Sequence, residues 1–293
     1  MEDRIITYGG QAVIEGVMMR GQRAVAIAMR APDGKIVVHR EGLAAVYRSR
    51  IAKIPFLRGV ILLWDALGLG MRALTLSANT QTGEDERLEG PALYLTLGLS
   101  LAAGVGLFFL LPAGIGGFAE RYLGWNIWLN NLLEGVLRLL LLIGYIWAIG
   151  FMPDVRRLFG YHGAEHKTIN AYEAGAELTT EVVAKYPVEH ARCGTAFMLT
   201  LVLVSILAFA ALGPLSLFWR LASRILLIPV LAGIAVEYIR WTANHLDSPL
   251  VRLLIKPNLA LQSLTTREPD ASMLEVAIES FKTMRRAEQE IVA

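Results

Sequence analysis

The chain has 293 residues, 55% of them apolar and 18% charged, with a formal net charge of +2. So small a surplus, with no basic run interleaved with aromatics, excludes a nucleic-acid binder that works through a basic face. The single cysteine, Cys193, excludes an intrachain disulfide framework.

The charges crowd into the first sixty residues, the stretch around His162 and the C-terminal tail, leaving long uncharged windows between them. That distribution is expected of a multi-pass integral membrane protein. The start, Met1-Glu2-Asp3-Arg4, leads into a polar, glycine-bearing segment with no apolar core, so no cleavable signal peptide is expected.

Residues 4 to 42 read as a small β-rich unit within an N-terminal part spanning 1–54. Ala24 to Arg30 and Lys35 to His39 flank Ala31-Pro32-Asp33-Gly34, a turn sequence that suits a hairpin. Upstream, four glycines punctuate the run from Tyr8 to Gly21, and Glu15 sits among apolar residues. A carboxylate there needs a partner: an arginine, backbone amides or a metal. A phosphate loop is rejected, because no Gly-Lys-Ser/Thr follows the glycines.

Residues 55–79 predict a helix with Arg58, Asp65 and Arg72 as one polar stripe, lying in the interface plane or packed on a bundle rather than crossing. The acidic segment Gly83 to Glu89 predicts a solvated linker. Four spans are then expected within 80–248, at about 92–111, 132–152, 194–212 and 217–239. Glu134 and Arg138 lie i,i+4 near one end of the second, where they can pair or snorkel. Arg220 and Arg224 weaken the fourth, and Pro229 is expected to kink it. The loop 153–193 and the tail carry most of the arginine and lysine outside the first segment. Both termini and that loop are therefore expected in the cytoplasm. The tail, 249–293, contains a helix capped by Asp270, with Leu274, Ala277, Ile278 and Phe281 on one face.

The chemistry concentrates in Phe159 to Glu173, which holds two of the five histidines. On a helix, His162 and His166 stand one turn apart with Glu165 beside them, the H-x-x-E-H arrangement. Two imidazoles can grip a divalent ion, most simply zinc, while the carboxylate acts as general base. The same spacing also suits an amphipathic helix with interfacial histidines. Two histidines leave the protein shell incomplete, and His190 or Cys193, three apart before the third span, can supply the third ligand, the histidine being favoured and Glu15 and Glu237 being the carboxylate alternatives. Glu173 is about 10 Å along the helix from His166, too far to share the ion, and is assigned to holding substrate or orienting a ligand. Glu15, Arg20 and Glu237 complete the candidate substrate or outer-shell groups; His39 and His245 are left out.

Four stretches together resemble the bacterial YqhQ family: Tyr8 to Gly21, Tyr161 to Thr168, His190-Ala191-Arg192-Cys193-Gly194-Thr195, and Leu264 to Asp270. The likeness spans nearly the whole chain, although Ala191 stands where proline is expected in the family. It implies a membrane protein commonly described as a predicted metal-dependent enzyme. The combined expectation is a mainly α membrane protein: a four-helix transmembrane bundle, a small N-terminal β-rich cytoplasmic unit and a cytoplasmic C-terminal helix. The expected location is the bacterial cytoplasmic membrane. Its partners would be membrane lipids and a lipid-linked or membrane-proximal peptide substrate, with a homo-oligomer as a further option. Two functions stay open: a metal-dependent hydrolase, or a non-catalytic scaffold or transporter subunit in which the cluster is a structural metal clip or binds no metal.

Overall fold

A computed structural model describes residues 8–43, 54–82, 90–213 and 215–292. The linker expected at 83–89 lies outside the described residues, as does the extreme N-terminus.

Four strands, β1 (Gly9–Val13), β2 (Gly16–Arg20), β3 (Ala24–Arg30) and β4 (Ile36–Gly42), form an antiparallel meander in the order β1-β2-β3-β4. The expected hairpin is β3–β4, with Arg30 opposite Ile36 and Gly34 in the left-handed region at φ 84°. The β1–β2 turn places Glu15 at φ 52°, a conformation that glycine would adopt more cheaply.

β3 is apolar from Ala24 to Met29 instead of alternating, because both faces of the sheet are covered. One face receives α11 (Ala271–Val292), whose Leu274, Ala277, Ile278 and Phe281 pack with Met19, Ala26 and Ala28. This is the stripe read from the sequence, and the sheet and the histidine helix are what it packs on. The Asp270 carboxylate accepts from Met273 N at 2.9 Å and caps it. The opposite face receives the second half of α1 (Leu57–Gln81), where Ala73 joins Val13, Met18, Val25, Ile27 and Met29.

The first half of α1 lies on another helix, α9 (Ile228–Asn244). A Cβ on Gly59 would stand 2.6 Å from the Gly233 Cα, so two glycines set that close approach. Two members of the expected polar stripe of α1 divide their partners, Arg58 pairing with Glu237 and Arg72 with Glu41; the Asp65 side chain lies outside those described.

Among the described residues, three helices are long and apolar enough to cross a membrane, and a fourth if one bent pair counts as a single span. The first runs from Gly90 to Leu123 as α2 (Gly90–Val105), a π-helical turn (Gly106–Leu110) and α3 (Leu111–Leu123). The others are α4 (Ile127–Ile149) and α7 (Gly194–Ala211). The bent pair is α8 (Leu217–Leu226) and α9, which meet at 46° beside Pro229, as the proline predicts. Between α4 and α7 lie α5 (Pro153–Glu173) and the single turn α6 (Thr180–Val183); α10 (Pro249–Thr265) opens the tail. The stretch from Pro249 to Thr265 is of mixed composition, yet it is helical through Pro257. Asn258, Gln262 and Thr265 line its buried side, a polar face that apolar periodicity does not register.

Glu134 and Arg138 do pair, at 2.7 Å, and both are buried. Arg224 from α8 closes on the same carboxylate through two bonds of 2.8 and 2.7 Å. Arg138 also donates to Ser205 and, through Nε, to the Phe108 carbonyl inside the π turn. The wider turn offers a carbonyl sideways, which a regular α-helix keeps for itself. The arginines that weaken the fourth span by composition are thus turned inward and paired.

Candidate metal centre

α5 starts at Pro153, directly after α4, and buries the face that carries Tyr161, Ala164, Glu165, His166 and Thr168. Gly163 allows this. A Cβ there would sit 2.1 Å from the Arg267 carbonyl, so only glycine lets the chain after α10 cross the helix. The same crossing brings the Thr265 carbonyl to His162 Nδ1 at 2.9 Å. One turn on, His166 Nδ1 meets the Val188 carbonyl at 2.5 Å.

These carbonyls set the tautomers. A carbonyl can only accept, so both Nδ1 atoms carry the proton, and in each neutral ring Nε2 keeps its lone pair. His166 Nε2 is buried with no partner among the described residues. His162 Nε2 stands 3.1 Å from Cys193 Sγ, and the thiol donates to it. Cys193 is the N-cap of α7, and its sulfur also accepts from Thr195 N at 3.4 Å.

One ligand atom from each of His162, His166 and Cys193 therefore lies within 4.8 Å of the other two. Two imidazole lone pairs and a sulfur, with each ring fixed from behind by a carbonyl, suit a zinc-type divalent ion. A buried imidazole nitrogen lacking any protein partner is what such an ion would satisfy. The fit is therefore good.

His190 is brought near but not into this group: its ring centroid is 5.6 Å from that of His166. Its backbone is clamped by Gln262, whose amide accepts from His190 N at 2.7 Å and donates to His190 O at 3.0 Å. Burial pushes the His190 pKa down, so the ring is neutral at pH 7. Its Nε2 lies 3.5 Å from the Arg192 guanidinium and 3.6 Å from the Glu173 carboxylate. Burial by itself would raise the Glu173 carboxyl, but His190 and Arg192 outweigh it and hold the group below its usual range.

Glu165 lies on the buried side of α5 against β1, and a Cβ on Gly10 would come within 2.9 Å of its carboxyl carbon. Its Oε2 has no partner among the described residues. Burial pushes its pKa up to about 7, against the opposing pull of His162 and the Gly10 amide.

Glu15, the strained turn residue, receives two bonds from Arg157 at 2.5 and 2.6 Å and one from the Tyr161 hydroxyl at 3.2 Å. It therefore anchors the β1–β2 turn to α5. Arg20 ends β2. Glu237, on α9, is engaged with Arg58 of α1.

Two further contributors are Lys167 and the Thr265 carbonyl. Lys167 is buried and donates to the Ala184 and Tyr186 carbonyls at 2.8 and 2.7 Å, which holds the loop that delivers Val188. The Thr265 carbonyl carries no side-chain signal at all, although its segment belongs to one of the stretches that resemble the family.

A family model described as "Protein of unknown function (DUF1385)" matches residues 54–287. The chain is 36% identical over 298 aligned residues to the uncharacterized protein YqhQ of Bacillus subtilis (strain 168), covering 96% of this chain and 93% of that protein. No solved structure matches it.

Proposed function

We propose, for a chain that belongs to the YqhQ family described as DUF1385, an integral membrane protein with a metal-dependent hydrolase site on its cytoplasmic face. One observation carries the metal part: three ligand atoms of His162, His166 and Cys193 lie within 4.8 Å, with both Nδ1 atoms tied to carbonyls. Cys193 is the third ligand in this reading, and His190 stands behind His166. When bound, a divalent ion such as zinc polarises a carbonyl or phosphoryl oxygen and makes a water molecule more acidic.

The chain's own residues supply the rest. His162 and His166 present fixed lone pairs, and Cys193 brings negative charge that lowers the net charge of the centre. Glu165, with its pKa near 7, is poised to take a proton from the attacking water and return it to the leaving group. Glu173 holds Arg192 and His190 at the rim.

The membrane part is supported by the three or four apolar helices and their exposed leucines. The arginine and lysine bias favours a cytoplasmic α5, and a site directly after α4 favours lipid-linked or membrane-proximal peptide substrates. The near-complete burial of His166 and Cys193 favours a second reading, a structural clip without catalysis.

Metal analysis of the purified chain tests the proposal. One equivalent of zinc is expected, lost in His162→Ala, His166→Ala and Cys193→Ser and kept in His39→Ala. Wild-type protein that carries no transition metal and binds none on titration would overturn it.

A further inference from the structure

Beside the three ligands stands a cation that the hydrolase reading does not use. Arg192 immediately precedes Cys193, and its guanidinium is held by the Glu173 carboxylate and lies 3.5 Å from His190 Nε2. Its Nε is buried with no acceptor among the described residues, a donor that costs free energy unless something accepts from it. Its side chain is 16% exposed, against 1% for the whole of His166. It is therefore more accessible to solvent than the buried ligand it neighbours.

The neighbouring cations are engaged elsewhere. Lys167 is spent on two carbonyls and Glu268, and Arg157 on Glu15. We infer that Arg192, positioned by Glu173, binds the anionic group of the substrate, and that this group is a phosphate-type oxyanion seated beside the metal ligands. The inference rests on the metal reading.

The charge balance favours such a ligand. A divalent ion with one thiolate and two neutral imidazoles leaves one positive charge, and Glu173 cancels that of Arg192. A guanidinium already fixed along one edge offers its remaining N–H groups in a set direction, which matches the geometry of phosphate oxygens. The N-terminus of α7 adds a positive field at Cys193.

The test uses the full chain in detergent, with and without one equivalent of zinc, and inorganic phosphate as the probe. Calorimetric titration on the zinc-loaded protein is expected to show one phosphate site. Arg192→Gln should weaken it by about 10- to 100-fold, the range for a hydrogen bond to a charged group, with zinc content unchanged. Arg192→Lys should recover part of the affinity, which a merely structural role would not produce. Competition by nanodiscs containing phosphatidic acid, absent with phosphatidylcholine, would assign the oxyanion to a lipid head group; phosphate binding without that competition would assign it to a soluble ester.

Zinc-loaded wild type that binds no phosphate, or Arg192→Gln that binds it like wild type, overturns the anion site and leaves the metal reading standing. A chain that takes no zinc sinks the metal reading instead. The anion site then stands only if the metal-free chain binds phosphate through Arg192.

Discussion

Replacing Glu134 by glutamine keeps the size of the side chain but removes the carboxylate that Arg138 and Arg224 share. Three charge-assisted bonds of 2.7 to 2.8 Å converge on it, and all three residues are buried. The amide oxygen can still accept, but its NH2 group faces a guanidinium, and two cations remain in an apolar interior without an anion. Breaking a buried pair in this way costs about 3–5 kcal/mol. At roughly 2–4 °C per kcal/mol for a chain of this order of size, the apparent midpoint should fall by about 6–20 °C. The assay is thermal unfolding in detergent at one fixed scan rate, because unfolding of such a chain need not be reversible. Glu41→Gln is the control: its pair with Arg72 is exposed and should contribute no more than about 1 kcal/mol. Replacing Glu134, Arg138 and Arg224 together by methionine should recover most of the loss, since no charge is then left unpaired. A Glu134→Gln protein that melts within about 2 °C of the parent would refute this argument. The network would then be solvated rather than buried.

Glu165→Gln should keep the fold and the metal but reduce cellular activity by about 10²- to 10⁴-fold if the carboxylate is a general base. Full complementation of a deletion strain with metal bound would favour the clip. Reporter fusions after residue 175 and at the C-terminus should both report cytoplasm; an external signal at residue 175 would place the site on the other side of the membrane. Arg157 foremost, through its hydrogen bonds, holds the Glu15 carboxyl below its usual range, against the opposing effect of burial. The stability from this pair is therefore fully present above the unfolded carboxylate pKa, about 4.3, and lost as the pH falls through the lower folded value. Acid unfolding of Glu15→Gln should lack that contribution, and an unchanged pH profile would remove Glu15 as the anchor of the β1–β2 turn.

What the sequence could determine by itself is what depends on neighbours along the chain. Long apolar windows, the Ala31–Gly34 turn, the Asp270 cap and the break at Pro229 are local, because backbone preference and periodicity act over a few residues. The i,i+4 placement of His162 and His166 follows from helix geometry in the same way. Tertiary structure alone decided the rest, because the partners are remote in sequence. Cys193 reaches His162 across 31 positions and the Thr265 carbonyl does so across 103. Arg224 meets Glu134 across 90. A backbone carbonyl that fixes an imidazole tautomer leaves no trace in residue identity. A buried arginine, too, reads as a flaw in a span until its carboxylate is brought to it from another helix.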